Sequence, residues 1–294
     1  MSDLRTIIMR WDVLRNTGSK SASPALKARQ MLGKYRIRRR IGAGAFATVY
    51  EAYDTIEGAP VALKIPHLDQ LDQESLNLIR REVRLTARLE HENILPLRNA
   101  MMIDGHFVIA TPLGQQTLAD RLHRRLGPKT ALSYTEQLLS ALAYAHEERI
   151  IHCDIKPDNV ILFPGGVVRL ADFGIAKVAL RTRTIMGSGQ GTVGYMAPEQ
   201  AMGKPSFRSD VFSMGLLIYR MFAGELPEWP FDWPLPGAER LRRTVSRDFI
   251  SFIRRAMEIR ERKRYRDGVQ MERAFQAVQP RALRSSTRGG RSAR

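Results

Sequence analysis

The sequence contains one cysteine, Cys153, in 294 residues. That excludes an internal disulfide framework and any zinc site built from several cysteines, and it fits a reducing compartment. Long apolar runs are also missing. A membrane-spanning helix needs roughly 18–20 consecutive apolar residues, and the longest candidate, residues 211–224, is broken by Arg220. The opening MSDLRTIIMRWDVLR lacks the continuous apolar stretch that follows the charged start of a secretion signal. No transmembrane segment and no export are therefore expected, and a cytoplasmic setting is. No repeat recurs along the chain, which sets solenoids and propellers aside.

Acidic residues are in deficit: 30 Asp and Glu against 47 Lys and Arg give a formal net charge of +17. Such a surplus attracts nucleic acid, acidic lipid or acidic protein. The basic residues are spread along the chain and most are arginine, so they read first as a solvated surface. No nucleic-acid fold signature accompanies them, and binding to nucleic acid is expected only as a nonspecific, salt-sensitive effect.

The length suits one large domain or two lobes with a substantial core. Residues 1–33 read as an N-terminal extension with two short helices: Leu4, Ile7, Ile8, Trp11 and Leu14 recur at helical spacing, and Ser23-Pro24 is a helix start before ALKARQML. The apolar stripe docks on the main domain or lies on a membrane surface; docking is the expected outcome. Residues 35–111 are mostly strand, with one helix near 74–89. From Thr117 onward helical patterns dominate, near 117–125, 133–148, 209–223, 246–258 and 267–278. The fold class is therefore α+β. Residues 280–294, ending RALRSSTRGGRSAR, form a basic tail almost without apolar content and are expected to be disordered.

In IGAGAFATVYEAYD, Gly42 and Gly44 sit in a turn, and Thr48, Val49, Tyr50 and Ala52 continue as a strand. A dinucleotide-binding turn would be followed by a helix. Strand, turn and strand read better as a flap whose glycine N–H groups approach phosphate oxygens; taken alone, an ordinary glycine-rich hairpin explains the motif equally well. VALKIP puts Lys64 on an apolar strand, where burial calls for an anionic partner, and Glu82 on the following helix can supply one. An ordinary surface pair has the same weight until further motifs are added.

The segment IIHCDIKPDNVIL packs Asp154, Lys156 and Asn159 into six residues between an apolar helix and an apolar strand. Asp154 can orient an attacking hydroxyl and accept its proton, Lys156 can neutralise a moving phosphoryl group, and Asn159 offers a carbonyl oxygen to Mg²⁺. Eighteen residues after Asp154, beyond a hairpin at Pro164-Gly165-Gly166, LADFGIAK presents Asp172 as a second oxygen ligand. The loop of Asp154 is the decisive stretch; a lone DFG would be weak, and the pair is strong.

Together these residues resemble a eukaryotic-type protein kinase, of the kind bacteria use as Ser/Thr kinases, over residues 35–278. The resemblance implies a bilobal protein-kinase-like fold, with a small β-rich N-lobe carrying one main helix (34–112) and a larger, mostly helical C-lobe (113–279). It implies Mg²⁺ and ATP as cofactors and Ser/Thr hydroxyls of proteins as acceptors. Asp154 would be the base, Lys156 would neutralise the moving phosphoryl group, Lys64 would be the strand lysine on the ATP phosphates with Glu82 as its helix partner, and Asn159 and Asp172 would be the metal ligands. Ile41, Gly42, Ala43, Gly44, Val49, Ala62 and Lys64 would line the nucleotide site. Thr111, Pro112 and Leu113 would form the adenine-binding hinge, with Ala110 at the gate to a deeper pocket. By the same resemblance Glu199 of MAPEQ pairs with Arg264, Asp210 braces the catalytic loop, Phe173 stacks with His152, and Thr192 contacts base and lysine. Ser285, Ser286 and Thr287 are candidate self-phosphorylation sites.

Three departures stand out. Ala47 replaces the usual third glycine, a mild change. Cys153 stands where many kinases have the arginine that clamps a phosphorylated activation loop. Phosphate on Thr182, Thr184 or Ser188 would then lack a bidentate partner and gate activity weakly; a passive thiol is expected over a reactive one. ELPEWPFDWPLPGAERLR crowds Trp229, Phe231 and Trp233 into a loop, expected to tuck against the helical lobe more readily than to anchor a partner. The alternative to an active enzyme is a nucleotide-binding pseudokinase scaffold, which loss of Lys64, Asp154 or Asp172 would signal; all three are present.

Overall fold

The structure is a computed structural model and describes residues 25–44, 47–67, 73–173, 193–228 and 231–284. Two compact units divide the chain, Met1–Val83 with Pro96–Leu113, and Arg84–Leu95 with Gly114–Arg294.

In the first unit, six antiparallel strands form one sheet: β1 (Met31–Leu32), β2 (Tyr35–Ala43), β3 (Ala47–Asp54), β4 (Ala59–Pro66), β5 (Asn99–Ile103) and β6 (His106–Pro112), in the order β1-β2-β3-β4-β6-β5. The period of two decides which residues are covered. Val61, Leu63 and Ile65 of β4 join Tyr50, Ala52, Ile37 and Ala110 in the core of this unit, while the intervening Ala62 and Lys64 face the half-open side. The turn from β3 to β4 is tied by Asp54, whose Oδ1 accepts from the Ile56 and Glu57 amides and whose Oδ2 lies 2.7 Å from Lys34 Nζ. Residues 25–32, expected to be helical after Ser23-Pro24, instead form a turn and then β1, which pairs with β2. The Arg29 and Ile37 amides donate to Ile37 and Gln30 carbonyls, so pairing with the strand outcompetes the local helical pattern. Residues 1–24 and 285–294, with the helix and self-phosphorylation expectations placed there, lie outside the described residues. Helix α1 (Gln73–Thr86) follows β4, and its last turn is counted with the second unit.

The second unit carries a small antiparallel sheet of β7 (Gln116–Thr117), β8 (Val160–Leu162) and β9 (Val168–Leu170). Its helices are α2 (Leu118–Arg121), α3 (Pro128–Glu147), α4 (Pro198–Ala201), α5 (Phe207–Ala223), α6 (Ala238–Thr244), α7 (Arg247–Ala256) and α8 (Gly268–Val278). The five helical patterns read from the sequence correspond to α2, α3, α5, α7 and α8, with shifted ends. Helix α3 starts five residues before Ser133, because Gly127 and Pro128 supply an N-cap and an N1 residue that needs no amide partner.

Helix α5 runs through the core, with Ser209–Tyr219 and Met221–Ala223 buried and Phe207, Arg208 and Arg220 partly open. Ser206 and Ser209 form a reciprocal cap at its start, and Gly224 ends it at φ +86°. Two glycines allow close helix contact. A Cβ on Gly215 of α5 would lie 2.8 Å from Ala256 Cβ of α7, and one on Gly268 of α8 would lie 2.8 Å from the Leu142 carbonyl of α3. The crowded loop resolves toward packing: Phe231 meets Phe212 edge-on at 5.5 Å, and Trp233 meets Tyr219 at 5.8 Å with the Arg254 guanidinium over its ring. Trp229 lies outside the described residues.

Candidate active site

The loop after α3 carries Asp154, and its conformation is imposed from a distance. Asp210, buried on α5, accepts from the His152 amide at 2.6 Å and the Cys153 amide at 2.8 Å, one on each carboxylate oxygen. His146 Nε2 adds a third contact at 3.0 Å. Because His146 Nδ1 accepts from the Gly268 amide at 2.7 Å, its ring proton sits on Nε2 and is donated to Asp210. The start of α8, the end of α3, the first turn of α5 and the loop are thus linked in series. Cys153 is held at φ +65°, a left-handed conformation that two buried amide bonds fix in place.

His152 then connects the loop to β9. Its Nδ1 accepts from the Asp154 amide, so Nε2 carries the proton and donates to the Ala171 carbonyl at 3.0 Å. Its ring lies 4.5 Å from that of Phe173. From the other side, the Ala171 amide donates to the Asn159 carbonyl at 2.8 Å. Asp172 therefore follows directly on a residue bonded to both His152 and Asn159, and its own φ of +58° turns the chain at that point. Asn159, on the short 3₁₀ turn Pro157–Asn159, donates through Nδ2 to the Asp154 carbonyl at 2.7 Å and to Asp154 Oδ2 at 2.9 Å. Lys156 Nζ is 3.7 Å from the same Asp154 oxygen. The structure brings Asp154, Lys156 and Asn159 together, with Asp172 one residue from the shared bond.

The Asn159 nitrogen is engaged with Asp154, which leaves its Oδ1 as the donor atom for a cation. Among the described residues no group of three or more His, Cys, Asp or Glu could hold a metal. A pair of oxygen donors with no all-protein cage fits Mg²⁺, which keeps several waters and is shared with substrate phosphates. Burial, with the Asp210 and Asp154 carboxylates nearby, pushes the Cys153 thiol far up, so it stays protonated and passive.

Glu199 of α4 and Arg264 form the expected pair, Nη1 to Oε1 at 2.6 Å and Nη2 to Oε2 at 3.0 Å. Arg264 also donates to the Arg208, Glu258 and Ile259 carbonyls, and its guanidinium lies over Phe212. Burial pushes the Glu199 carboxyl up, but hydrogen bonds from Arg264 and Ser209 outweigh it and hold the carboxyl below its usual range. Gln200, next to Glu199, donates to the Cys153 carbonyl. His146 and Gln200 were not singled out in the sequence. His146 sits on a helical segment with no motif of its own, and Gln200 closes MAPEQ beside Glu199; only the pairing of distant elements reveals either.

In the first unit, Lys64 pairs in register with Val49 on one side and Ile109 on the other, and Ala62 with Thr111. Val49, Ala62, Lys64, Thr111 and Leu113 are all partly open, whereas Ala110 is buried in the core, opposite Leu63. Gly42 pairs with Val49 and Ala43 with Thr48, and the Gly44 amide donates to Ala47, so the glycine turn is a strand-to-strand hairpin as its flanks indicated. Ile41 is 41% exposed, an apolar side chain open to solvent on this hairpin. Glu82 falls on α1 with its side chain outside the described part; Thr192, Thr182, Thr184 and Ser188 lie outside the described residues.

An antiparallel sheet with a strand lysine, and a helical unit whose aspartate loop is bonded to a second aspartate turn, define the class of the protein kinases. Residues 35–276 match the model of the protein kinase domain, and the chain belongs to that family. It is 35% identical over 209 residues to the serine/threonine-protein kinase PrkC of Bacillus subtilis strain 168, covering 69% of this chain and 32% of that one. It is 35% identical over 206 residues to the serine/threonine-protein kinase PknA of Corynebacterium glutamicum, covering 66% of this chain and 44% of that one. The chain thus spans less than half the length of these curated relatives. Among solved structures, a mutant PknI kinase domain of Mycobacterium tuberculosis superposes with a TM-score of 0.68 at 25% identity, over 87% of this chain and all of that one.

Proposed function

We propose that the chain is a protein serine/threonine kinase that transfers the γ-phosphoryl group of Mg-ATP to Ser and Thr hydroxyls of protein substrates. The observation that carries this reading is the Asp154–Asn159 pair hydrogen-bonded through its backbone to the residue preceding Asp172. Bound Mg²⁺ supplies Lewis-acid neutralisation of phosphate charge, and Asn159 Oδ1 and Asp172 would hold it. Lys64 contacts phosphate oxygens and Glu82 orients it. The glycine hairpin covers the phosphates, with Ile41, Val49 and Ala62 against the base, Thr111 and Leu113 supplying hinge bonds, and Ala110 at the gate. Asp154 orients the acceptor hydroxyl and takes its proton, while Lys156 offsets the charge that develops during transfer and Thr192 steadies both. The names of the relatives support Ser/Thr specificity, as does the Lys156-Pro157 sequence of the loop. Cytoplasmic location and self-phosphorylation belong to the same reading, and among the described residues no helix is long and apolar enough to cross a membrane.

Activity is expected without activation-loop phosphate, because Cys153, buried and neutral, offers no guanidinium to clamp one. Phosphatase treatment should leave transfer to an added protein unchanged; abolition would contradict this point. The overall reading is tested with γ-labelled ATP, Mg²⁺ and a generic protein substrate. Labelled phosphoserine or phosphothreonine is expected from the wild type, with Asp154→Asn lowering turnover by about 10²–10⁴-fold. Nucleotide binding without any transfer would instead mark a pseudokinase scaffold.

A further inference from the structure

On the second unit a cleft of about 520 Å³ runs beside the first turns of α3, and it shares no residue with those assigned to phosphoryl transfer. Lys129, Thr130, Ser133, Tyr134 and Gln137 form its helical wall, their spacing putting them on one face of α3. The turn Gly165–Val167 between β8 and β9 supplies a second wall, and Glu92 and Asn93 complete the lining. Gln137 locks these pieces together. Its Oε1 accepts from Asn93 Nδ2 and from the Val168 amide, each at 2.9 Å, and its Nε2 donates to the Gly166 carbonyl at 3.0 Å. Asn93 Nδ2 also donates to the Val168 carbonyl at 3.0 Å. The cleft is therefore formed before any ligand arrives. A Cβ on Gly165 or Gly166 would meet nothing within 4 Å, so the turn presents bare backbone to an approaching chain.

Hydrogen-bond donors gather where α3 begins. Tyr134 is only 7% exposed, yet its hydroxyl has no hydrogen-bond partner among the described residues and is not sealed from solvent. Because Tyr134 lines the cleft, that opening is into the cleft. A long side chain on a helix leans toward the helix start, which carries this hydroxyl over the turn of Thr130, four residues earlier. Thr130 and Ser133 are exposed, and Ser133 Oγ accepts only a long bond from Gln137 at 3.4 Å, so both hydroxyls can donate. Lys129 is exposed and has no ion pair among the described residues. The first turn of α3 has neither a side-chain cap nor an acidic residue, so its amides without helical acceptors and the positive end of the helix dipole stand open. Glu92 is the carboxylate on the lining, and it sits toward the other end. Its neighbour Asn93 bonds to Gln137, eight residues and about 12 Å along α3 from Lys129.

A phosphoryl group matches this end of the cleft. Its terminal oxygens accept from several donors at once, and its negative charge is favoured by the Lys129 ammonium and the start of the helix. The cleft holds far more than one phosphoryl group, and the remaining space beside the bare glycine turn suits the chain to which that group is attached. We propose that this cleft binds a phosphorylated Ser or Thr side chain of a protein segment, with Lys129, Thr130, Ser133 and Tyr134 as donors to the phosphoryl oxygens. Such binding needs no phosphoryl transfer, so it stands or falls apart from the kinase reading. It is tested by fluorescence anisotropy with a short labelled Gly-Ala peptide that carries one phosphoserine, beside its unphosphorylated twin. The wild type is expected to bind the phosphoserine peptide at least roughly tenfold more tightly than the twin. Tyr134→Phe, which removes only the hydroxyl, and Lys129→Gln should each weaken that binding by roughly tenfold, with the urea midpoint unchanged. Equal affinity for the two peptides overturns the proposal. So does undiminished binding of the phosphoserine peptide by both variants, which would seat the anion elsewhere. Displacement of the peptide by an equal concentration of inorganic phosphate would mark a site for a small free anion and would likewise overturn it.

Discussion

Both carboxylate oxygens of Asp210 are committed to amides of the loop that carries Asp154. Removing that side chain would leave the His152 and Cys153 N–H groups buried without acceptors, each worth about 1–3 kcal/mol. Asp210→Ala should therefore lower stability by several kcal/mol, read from urea unfolding. Unchanged unfolding would show that the loop holds its shape without Asp210. A milder effect is expected at Glu272 of α8. Burial, then the nearby Glu147 carboxylate, raise its pKa above that of an ordinary glutamate. The uncharged form favours the fold, so its contribution is complete below the ordinary glutamate range and is lost as pH rises through the raised value. Glu272→Gln should thus stabilise the protein at pH 7, by no more than about 1 kcal/mol given its partial exposure, with little difference at pH 4. Calorimetric melting at both pH values checks the sign. The residues proposed to react were legible in the sequence because Asp154, Lys156 and Asn159 fall within six positions of one loop between an apolar helix and an apolar strand. The residues that hold them were not, since His146 and Gln200 make their bonds across 64 and 47 positions of chain.

At the scale of elements, the helices were legible from period and caps, and their ends were less so. Ser246 and Asp267 cap α7 and α8 close to where the patterns begin. Helix α3 begins earlier because Gly127-Pro128 outweighs the polar residues that follow. The stretch before β2 failed as a helix for the opposite reason, since local propensity is a weak term beside the hydrogen bonds of a sheet edge. Spacing between helices is not written in any periodicity. It rests on Gly215 and Gly268, where a methyl group would meet a neighbour at 2.8 Å. At Gly268 that neighbour is backbone and cannot rotate away. Gly268→Ala should cost about 1–3 kcal/mol by pushing α8 from α3, visible as a lower urea midpoint. An unchanged midpoint would mean that the two helices separate freely.

At the scale of the whole molecule, the Arg264–Glu199 pair joins elements 65 residues apart and is nearly sealed from solvent. Arg264→Ala strands a carboxylate that is mostly covered, with 15% of its side chain exposed, and a loss of about 2–3 kcal/mol is expected, below that of a fully buried pair. Because the Glu199 pKa is depressed in the fold, its contribution is present above the ordinary glutamate range and is lost as pH falls through the lowered value. An acid melt of the wild type should therefore steepen below about pH 4, and the Arg264→Ala variant should lose that steepening. The account as a whole turns on Asn159 and Asp172 presenting oxygen to one Mg²⁺ that also meets the phosphates. The most direct measurement is calorimetric titration of ATP into the protein with and without Mg²⁺, repeated on Asp172→Ala. The expected result is nucleotide uptake that Mg²⁺ strengthens in the wild type and leaves unaltered in the variant. Uptake indifferent to the metal in both proteins would contradict the account.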